Sequence, residues 1–172
     1  MQCSRLIPAR ADWIEDGLRI TESTAILVHV ATLCGLAGKD AKSAAKLLML
    51  HGVLGDLRAE YVTMSYSSGE SHEARKSTLI AETLPKALDG FEAFLYGDAD
   101  GPWLLGNELS YMDLELADLL EQLLELHPSC LANAPGLSAL VVAVNALPAI
   151  AAYRASPDFI DRPYNNLMAS FK

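Results

Sequence analysis

A β-branched segment that ends at a Glu-Ser pair, followed at once by an apolar helical pattern, is the feature of this sequence with the clearest chemical meaning. Ile20 and Thr21 end the segment, Glu22 and Ser23 follow, and the apolar pattern starts with Ala25-Ile26-Leu27. Backbone N–H groups freed in the first turn, the Ser23 hydroxyl and the positive end of the helix dipole would converge on one point. This arrangement predicts a site for the carboxylate of a small anionic ligand.

The same pair has a purely structural interpretation. Ser23 is a suitable N-cap residue, and Glu22 is a favourable carboxylate beside a helix start. Such pairs are common in helices that bind no ligand. On these two residues alone the structural interpretation is the stronger. The choice between a ligand site and a helix cap therefore depends on the elements around them.

The elements next to the pair are short strands before it and a helix after it. Residues 1–21 are expected to form a loop, a short strand, a turn and a second short strand, with Leu6-Ile7-Pro8 before the Asp16-Gly17 turn and Leu18-Arg19-Ile20 after it. Helical spacing then runs from Ser23 to near Cys34, where Gly35 is a plausible C-cap.

A second helix is expected to start near Asp40 and to bury one apolar stripe. Leucine, tyrosine and methionine recur at steps of three and four residues, at Leu47, Leu50, Leu54, Leu57, Tyr61 and Met64. Gly52 and Gly55 interrupt this helix at a cost of about 1 kcal/mol each relative to alanine. Either another backbone segment approaches the helix closely at these glycines, or they are neutral substitutions that the helix tolerates.

The remaining elements are also expected to be helical. Residues 67–73 form a polar break, and a helix follows over 79–95 with a kink at Pro85. Ser110 and Asp113 have the spacing of a capping box, which predicts a core helix from Ser110 to about His127. Shorter helices are expected over 137–146 and 148–155, and an irregular tail from residue 156.

Composition limits the class of protein. The chain has 172 residues and a formal net charge of −9, with a pI near 4.8, so nucleic acid and anionic membranes are unlikely partners. Three widely spaced cysteines (Cys3, Cys34 and Cys130) suit a reducing cytoplasm. Neither a membrane-spanning run, a signal peptide nor a metal-ligand cluster of histidines is evident, so a cytoplasmic protein without a metal is expected.

The spacing after Ser23 resembles that of cytosolic glutathione transferases of the pi and sigma classes. The motifs that carry it are Gly35-Leu36, Gly38-Lys39-Asp40, Asp56-Leu57-Arg58, Tyr61 and Tyr66. The resemblance extends from Leu6 to Phe171 and implies a mainly α fold. Residues 1–38 would be the last strands and helix of a truncated thioredoxin-like domain, and residues 39–172 the all-α C-terminal domain.

The resemblance also implies a site for glutathione, which is the substrate rather than a bound cofactor. Ser23 would hold the γ-glutamyl carboxylate, and Glu22 would face its ammonium. Asp56 would reach across a two-fold axis to the partner subunit's ligand, with a helix-surface ion pair as the alternative. Ile7 and Pro8 match the apolar residue and cis-proline that offer backbone to the cysteinyl part of glutathione.

Tyr66 matches a position that lines the pocket for a hydrophobic electrophile, although rim or core packing fits it equally. A family member would be a homodimer acting in detoxification, with the glutathione thiolate attacking the electrophile, or would isomerise a substrate with glutathione. The Tyr or Ser that activates the thiol lies in a leading βαβ unit in that family. This sequence starts after that unit, and neither Cys3 nor Ser4 matches it, so no catalytic residue is assigned. The alternative is a noncatalytic helical module for interaction or ligand binding.

Overall fold

The computed structural model describes residues 12–97 and 101–172. The elements of this part are β1 (Asp12–Glu15), β2 (Leu18–Thr21), α1 (Ser23–Leu33), α2 (Ala41–Ser65), α3 (Gly69–Thr78), a π-helical turn (Leu79–Thr83), α4 (Leu84–Gly97), α5 (Tyr111–Leu126), α6 (Pro135–Asn145) and α7 (Pro148–Arg154). The predicted mainly α fold with a remnant of strand structure before it is confirmed. Ile7 and Pro8 lie outside the described residues, and the boundary between residues 38 and 39 stays a prediction.

The two strands form an antiparallel hairpin around the predicted turn. Asp16 and Gly17 have φ values of 44° and 82°, and Trp13 lies opposite Ile20 in the ladder. Positive φ at both central positions is the geometry of a type I′ turn, which matches the twist of paired strands. The turn is therefore confirmed, and the strand before it is Asp12–Glu15.

The core lies where α5 packs against α6, α2 and α1. Four leucines of α5 are fully buried, at Leu116, Leu119, Leu120 and Leu123, and every residue of the predicted α2 stripe is buried as well. Because one face of α2 and most of α5 share this core, the two helices fix each other along their length. The prediction that α5 is the central core helix is confirmed.

The end of α1 is joined to the start of α5. The Leu36 N–H donates to the Ala31 carbonyl at 2.8 Å and the Gly35 N–H to the Thr32 carbonyl at 3.2 Å, with Gly35 at φ 70°. These two hydrogen bonds around a glycine in the left-handed conformation form a Schellman motif, so the predicted C-cap is confirmed. The Leu36 carbonyl accepts from the Tyr111 N–H at 3.0 Å, which ties α1 to α5.

The polar break is shorter than the sequence predicts. Only Tyr66, Ser67 and Ser68 separate the helices, because α2 ends at Ser65 and α3 already begins at Gly69. Glu70 in its first turn and Arg75 in its last suit the helix dipole, yet α3 has no buried residue. A surface helix without an apolar stripe gives no periodic signal, which is why the sequence prediction of a break over 67–73 is wrong.

A π-helical turn precedes Pro85 in place of a simple kink. The Leu84 N–H bonds to the Leu79 carbonyl, one residue farther back than in an α-helix. Proline lacks an N–H and its ring collides with the carbonyl four residues earlier, so a widened turn accommodates it. The helix is therefore irregular just before Pro85, where the sequence predicts a kink, and a bend at this proline stays a prediction.

The glycines of α2 do not mark a close approach within the described chain. A Cβ built on Gly52 or Gly55 meets no atom within 4 Å. Both glycines lie on the exposed side of α2, opposite the buried stripe. A close approach between the described elements is therefore excluded as the reason for these two glycines.

The last two helices agree with the sequence prediction. α6 begins at Pro135 and α7 at Pro148, each with proline in the first turn, and an irregular tail follows from residue 156. In the described ranges, no helix is by itself long and apolar enough to cross a membrane. α6 and α7 reach such a length and composition only as a pair, and they are bent by 71°.

Candidate functional site

Glu22 and Ser23 lie on the surface, at the junction of β2 and α1. Glu22 occupies the N-cap position and Ser23 is the first helical residue, and both side chains are exposed. Among the residues that the structure describes, no side chain caps this helix. The interpretation of Ser23 as a structural N-cap is therefore wrong, and its hydroxyl is left facing solvent.

The first-turn amides of α1 are also open. The first bond within the helix joins the Ile26 N–H to the Glu22 carbonyl at 3.0 Å. The N–H groups of Ser23, Thr24 and Ala25 therefore have no acceptor within the helix, as geometry requires of a first turn. Together with the positive end of the dipole, these groups can bind a carboxylate.

The two longest helices differ from α1 because each has a capping box at its N-terminus. At α2, Asp40 accepts from the Ser43 N–H at 2.7 Å, and hydrogen bonds from Ser43 lower the pKa of the Asp40 carboxyl. At α5, Asp113 accepts from the N–H of the N-cap residue Ser110 at 2.8 Å and from the Leu104 N–H at 2.8 Å. Of these three helices, only α1 lacks a capping box.

The backbone at Glu22 is strained. Its φ of 76° and ψ of 122° lie outside the regions that non-glycine residues favour. Such a conformation costs about 1–3 kcal/mol and persists only where the surroundings enforce it, often at ligand sites. This strain turns the chain sharply from β2 into α1 and places Glu22 beside the open amides.

A polar network behind α1 was not predicted from the sequence. His51 on α2 lies 3.1 Å from the Thr24 hydroxyl and 2.8 Å from the Glu115 carboxylate on α5. Arg58 lies 3.7 Å from Glu115. The partners of His51 lie 27 and 64 positions away in the sequence, so no local sequence pattern identifies them.

Asp56 does not lie beside Ser23 in this chain. It is exposed on α2 and lines a groove of about 630 Å³ between α2 and α4, together with Glu60, Glu82 and Lys86. In the part of the chain that the structure describes, Asp56 forms no ion pair, so the surface ion-pair alternative has no partner there. A role for Asp56 toward a second subunit's ligand stays a prediction.

Tyr66 ends α2 at the surface. It is 43% exposed, and its hydroxyl accepts from the Asn166 N–H at 3.4 Å. Core packing of this ring is therefore excluded. The ring lies at the edge of the C-terminal tail, which is held to the same helix end by the Ser170 N–H bonding to the Ser65 carbonyl at 2.7 Å.

The thiols of the described chain do not add to this site. Cys34 is exposed at the far end of α1, and Cys130 lies in the connection between α5 and α6. Burial raises the pKa of the Cys130 thiol, which disfavours the thiolate. Cys3, like the predicted backbone-contact residues Ile7 and Pro8, lies outside the described residues.

Comparison with known proteins shows which family this chain resembles in sequence. Residues 55–157 match a family profile described as "Glutathione S-transferase, C-terminal domain". Glutathione S-transferase P of Bos taurus is 38% identical over 153 residues, which cover 88% of this chain and 71% of that protein. A class-mu glutathione S-transferase of Fasciola hepatica is 31% identical over 165 residues, or 96% of this chain and 73% of that protein.

A solved structure agrees with these sequence matches. The pi-class glutathione S-transferase of Onchocerca volvulus superposes with a TM-score of 0.70 at 28% identity. The match covers 79% of this chain and 64% of that one. This chain therefore spans less than two thirds of the solved relative and about seven tenths of the curated ones.

Proposed function

The chain belongs to the glutathione S-transferase family, and on that premise we propose that the open N-terminus of α1 binds glutathione. The observation that carries the proposal is the uncapped first turn beside the strained Glu22. A γ-glutamyl group has a carboxylate and an ammonium on one carbon, so it needs donors and an acceptor side by side. Ser23 and the first-turn amides supply the donors, and Glu22 supplies the acceptor.

The reaction proposed for the whole protein is nucleophilic transfer of glutathione to a hydrophobic electrophile, or an isomerisation that uses glutathione. In transfer, the sulfur of the thiolate forms a bond to the electrophilic carbon and the leaving group departs with its electron pair. Residues of this chain hold the peptide, and Tyr66 offers the electrophile an exposed aromatic face with a hydroxyl. No residue of this chain is assigned to ionising the thiol. A cytoplasmic location fits a reaction that requires a reduced thiol.

A noncatalytic role in ligand binding is the second candidate. The residues that the first proposal uses hold the γ-glutamyl group or offer a surface to the electrophile, and none of them is assigned a contact with the sulfur. A thiol with an ordinary pKa near 8.5 is only a few per cent ionised at neutral pH, so binding without an activator gives little turnover. Saturable glutathione binding without conjugating activity would support this candidate.

Titration calorimetry with two ligands tests the binding proposal. Glutathione is expected to give saturable heat, whereas cysteinylglycine, which lacks the γ-glutamyl group, is expected to give none at the same concentrations. The reason is that the proposed contacts at Ser23 and Glu22 all involve the part that cysteinylglycine lacks. Equal binding of both ligands, or no binding of glutathione, would contradict the proposal.

We also propose that the chain forms a symmetric homodimer through the exposed face of α2. Leu48, Met49 and Val53 are each about half exposed there, at 53%, 53% and 47%. The side chain of Leu48 also lines an apolar groove of about 350 Å³ between α1 and α2, with Val28. An apolar surface of this kind is typical of interfaces, and a two-fold axis lets the same patch meet itself.

Leu48→Glu is expected to convert the dimer to a monomer. The substitution places a charge in an interface that would otherwise remove the side chain from water, and an unpaired buried charge is costly. Sedimentation equilibrium at micromolar concentration measures the mass directly. Val142→Glu is the matched control, because Val142 is 69% exposed on α6, away from this face, and should leave the mass unchanged. A monomeric parent chain would contradict the dimer.

A further inference from the structure

Three helices are joined by one short chain of polar side chains next to the proposed glutathione site. The Thr24 hydroxyl of α1 lies 3.1 Å from His51 Nε2, and His51 Nδ1 lies 2.8 Å from Glu115 Oε2 on α5. Thr24 follows Ser23 directly in the first turn of α1. The network therefore reaches the site from behind, through the residue beside the proposed ligand contact.

The hydrogen positions in this network follow from its partners. A carboxylate can only accept, so the proton on His51 Nδ1 donates to Glu115. At Nε2 the Thr24 hydroxyl can serve as donor or as acceptor, so the same two atoms are hydrogen-bonded whichever of them carries the proton. The His51 and Glu115 side chains are only 20% and 18% exposed, so the hydrogen bond between them is partly shielded from water and is stronger for it. The hydrogen bond between Thr24 and His51 is exposed.

Glu115 is itself held from a second direction. Arg58 on α2 lies 3.7 Å from its other oxygen and 3.7 Å from Asp118 on α5. Both carboxylate oxygens of Glu115 therefore have a partner, and its orientation toward His51 is fixed. Both nitrogens of the His51 imidazole therefore have a hydrogen-bond partner.

The first turn of α1 needs such support because no side chain in residues 12–97 or 101–172 caps it. A helix end without a side-chain cap is less stable by about 1 kcal/mol and frays more readily. A capping side chain would occupy the amides that the proposed ligand requires. A bond to the Thr24 hydroxyl from the side stabilises the turn and leaves those amides open.

We propose that His51 is a positioning residue for the glutathione site, acting through Thr24 and oriented by Glu115. The proposal rests on the proposed function for its ligand, whereas the geometric part stands on the network alone. His51 does not contact the ligand. Its effect is to fix the first turn of α1, and with it the direction of the Ser23 hydroxyl and of the adjacent N–H groups.

The experiment compares Thr24→Val, Thr24→Ser and His51→Ala with the parent chain. Valine has the shape of threonine without the hydroxyl, and serine keeps the hydroxyl. Amide hydrogen exchange is followed at Ile26, Leu27 and Val28, whose helical bonds close the first turn, and glutathione affinity is measured in parallel. Exchange in α6 reports any global loss of stability.

We expect a local effect on amide exchange and glutathione affinity that depends on the Thr24 hydroxyl. Thr24→Val and His51→Ala should each speed exchange at Ile26–Val28 and weaken glutathione binding, both by roughly three- to tenfold, with α6 unchanged. Thr24→Ser should restore both values. The double variant T24V/H51A should be no worse than either single variant, because both remove the same bond.

The possible outcomes separate this inference from the proposed function. Unchanged exchange in Thr24→Val, or additive effects in the double variant, would overturn the positioning role even if the parent chain binds glutathione. If the variants exchange faster at the first turn of α1 but the parent chain binds no glutathione, the proposed function is rejected. The part of the inference in which His51 stabilises that turn through Thr24 is then supported. A merely structural role would show as faster exchange in α6 as well, and that result also overturns the proposal.

Discussion

Ser23→Ala is expected to weaken glutathione binding by about 1.5–3 kcal/mol, which is the usual loss for a hydrogen bond to a charged group. Removing the hydroxyl leaves one oxygen of the γ-glutamyl carboxylate without its side-chain donor. The first-turn amides remain, so binding is reduced and not abolished. Titration calorimetry measures the change as a dissociation constant larger by roughly one to two orders of magnitude.

The same variant separates ligand binding from helix capping. A structural N-cap serine replaced by alanine costs about 0.5–2 kcal/mol of stability. Because the Ser23 hydroxyl makes no capping bond, the free energy of unfolding should change by less than about 0.5 kcal/mol. Ser71→Ala, on exposed α3, is the control and should alter neither value. Unchanged affinity in Ser23→Ala would count against the site.

Asp113→Ala is expected to cause the largest loss of stability, about 2–6 kcal/mol. Its buried carboxylate accepts from two backbone N–H groups, those of Leu104 and Ser110, and from the Ser110 hydroxyl at 2.6 Å. Alanine leaves the two buried N–H groups without acceptors, at about 1–3 kcal/mol each. Urea denaturation, read as a lower midpoint with an unchanged slope, measures the loss.

Asp113→Asn tests the cause of that loss. Burial raises the pKa of the Asp113 carboxyl, while the hydrogen bonds from Leu104 and Ser110 oppose this shift. The charge is therefore costly to bury, and the acceptors are what the fold needs. Asparagine keeps one acceptor oxygen and loses the charge, so it should be less destabilising than alanine. Equal losses in the two variants would show that the charge matters more than the acceptors.

The sequence predicts those parts of the fold whose cause is local. The apolar stripe of α2 repeats at helical spacing, and all six of its residues are buried. The Ser110 and Asp113 capping box and the Asp16-Gly17 turn depend on a few adjacent residues, and both are present. The sequence does not predict the surface helix α3, because this helix has no buried face and therefore no apolar repeat.

The candidate site was predictable only in part. Glu22 and Ser23 could be identified because a strand, a polar pair and a helix follow one another in the sequence. The strained φ of Glu22 and the absence of a side-chain cap depend on how β2 enters α1, and no residue pattern reports them. The network of Thr24, His51 and Glu115 joins distant positions and required the packed helices.

Amide NMR spectra recorded during a glutathione titration show whether the open first turn of α1 binds the γ-glutamyl carboxylate. We expect saturable chemical-shift changes that are largest at the N–H groups of Ser23, Thr24 and Ala25. The Ser43 N–H at the start of α2 already donates to Asp40, so its signal should not move. Changes confined to other parts of the chain, or none at saturating glutathione, would rule out binding at this turn.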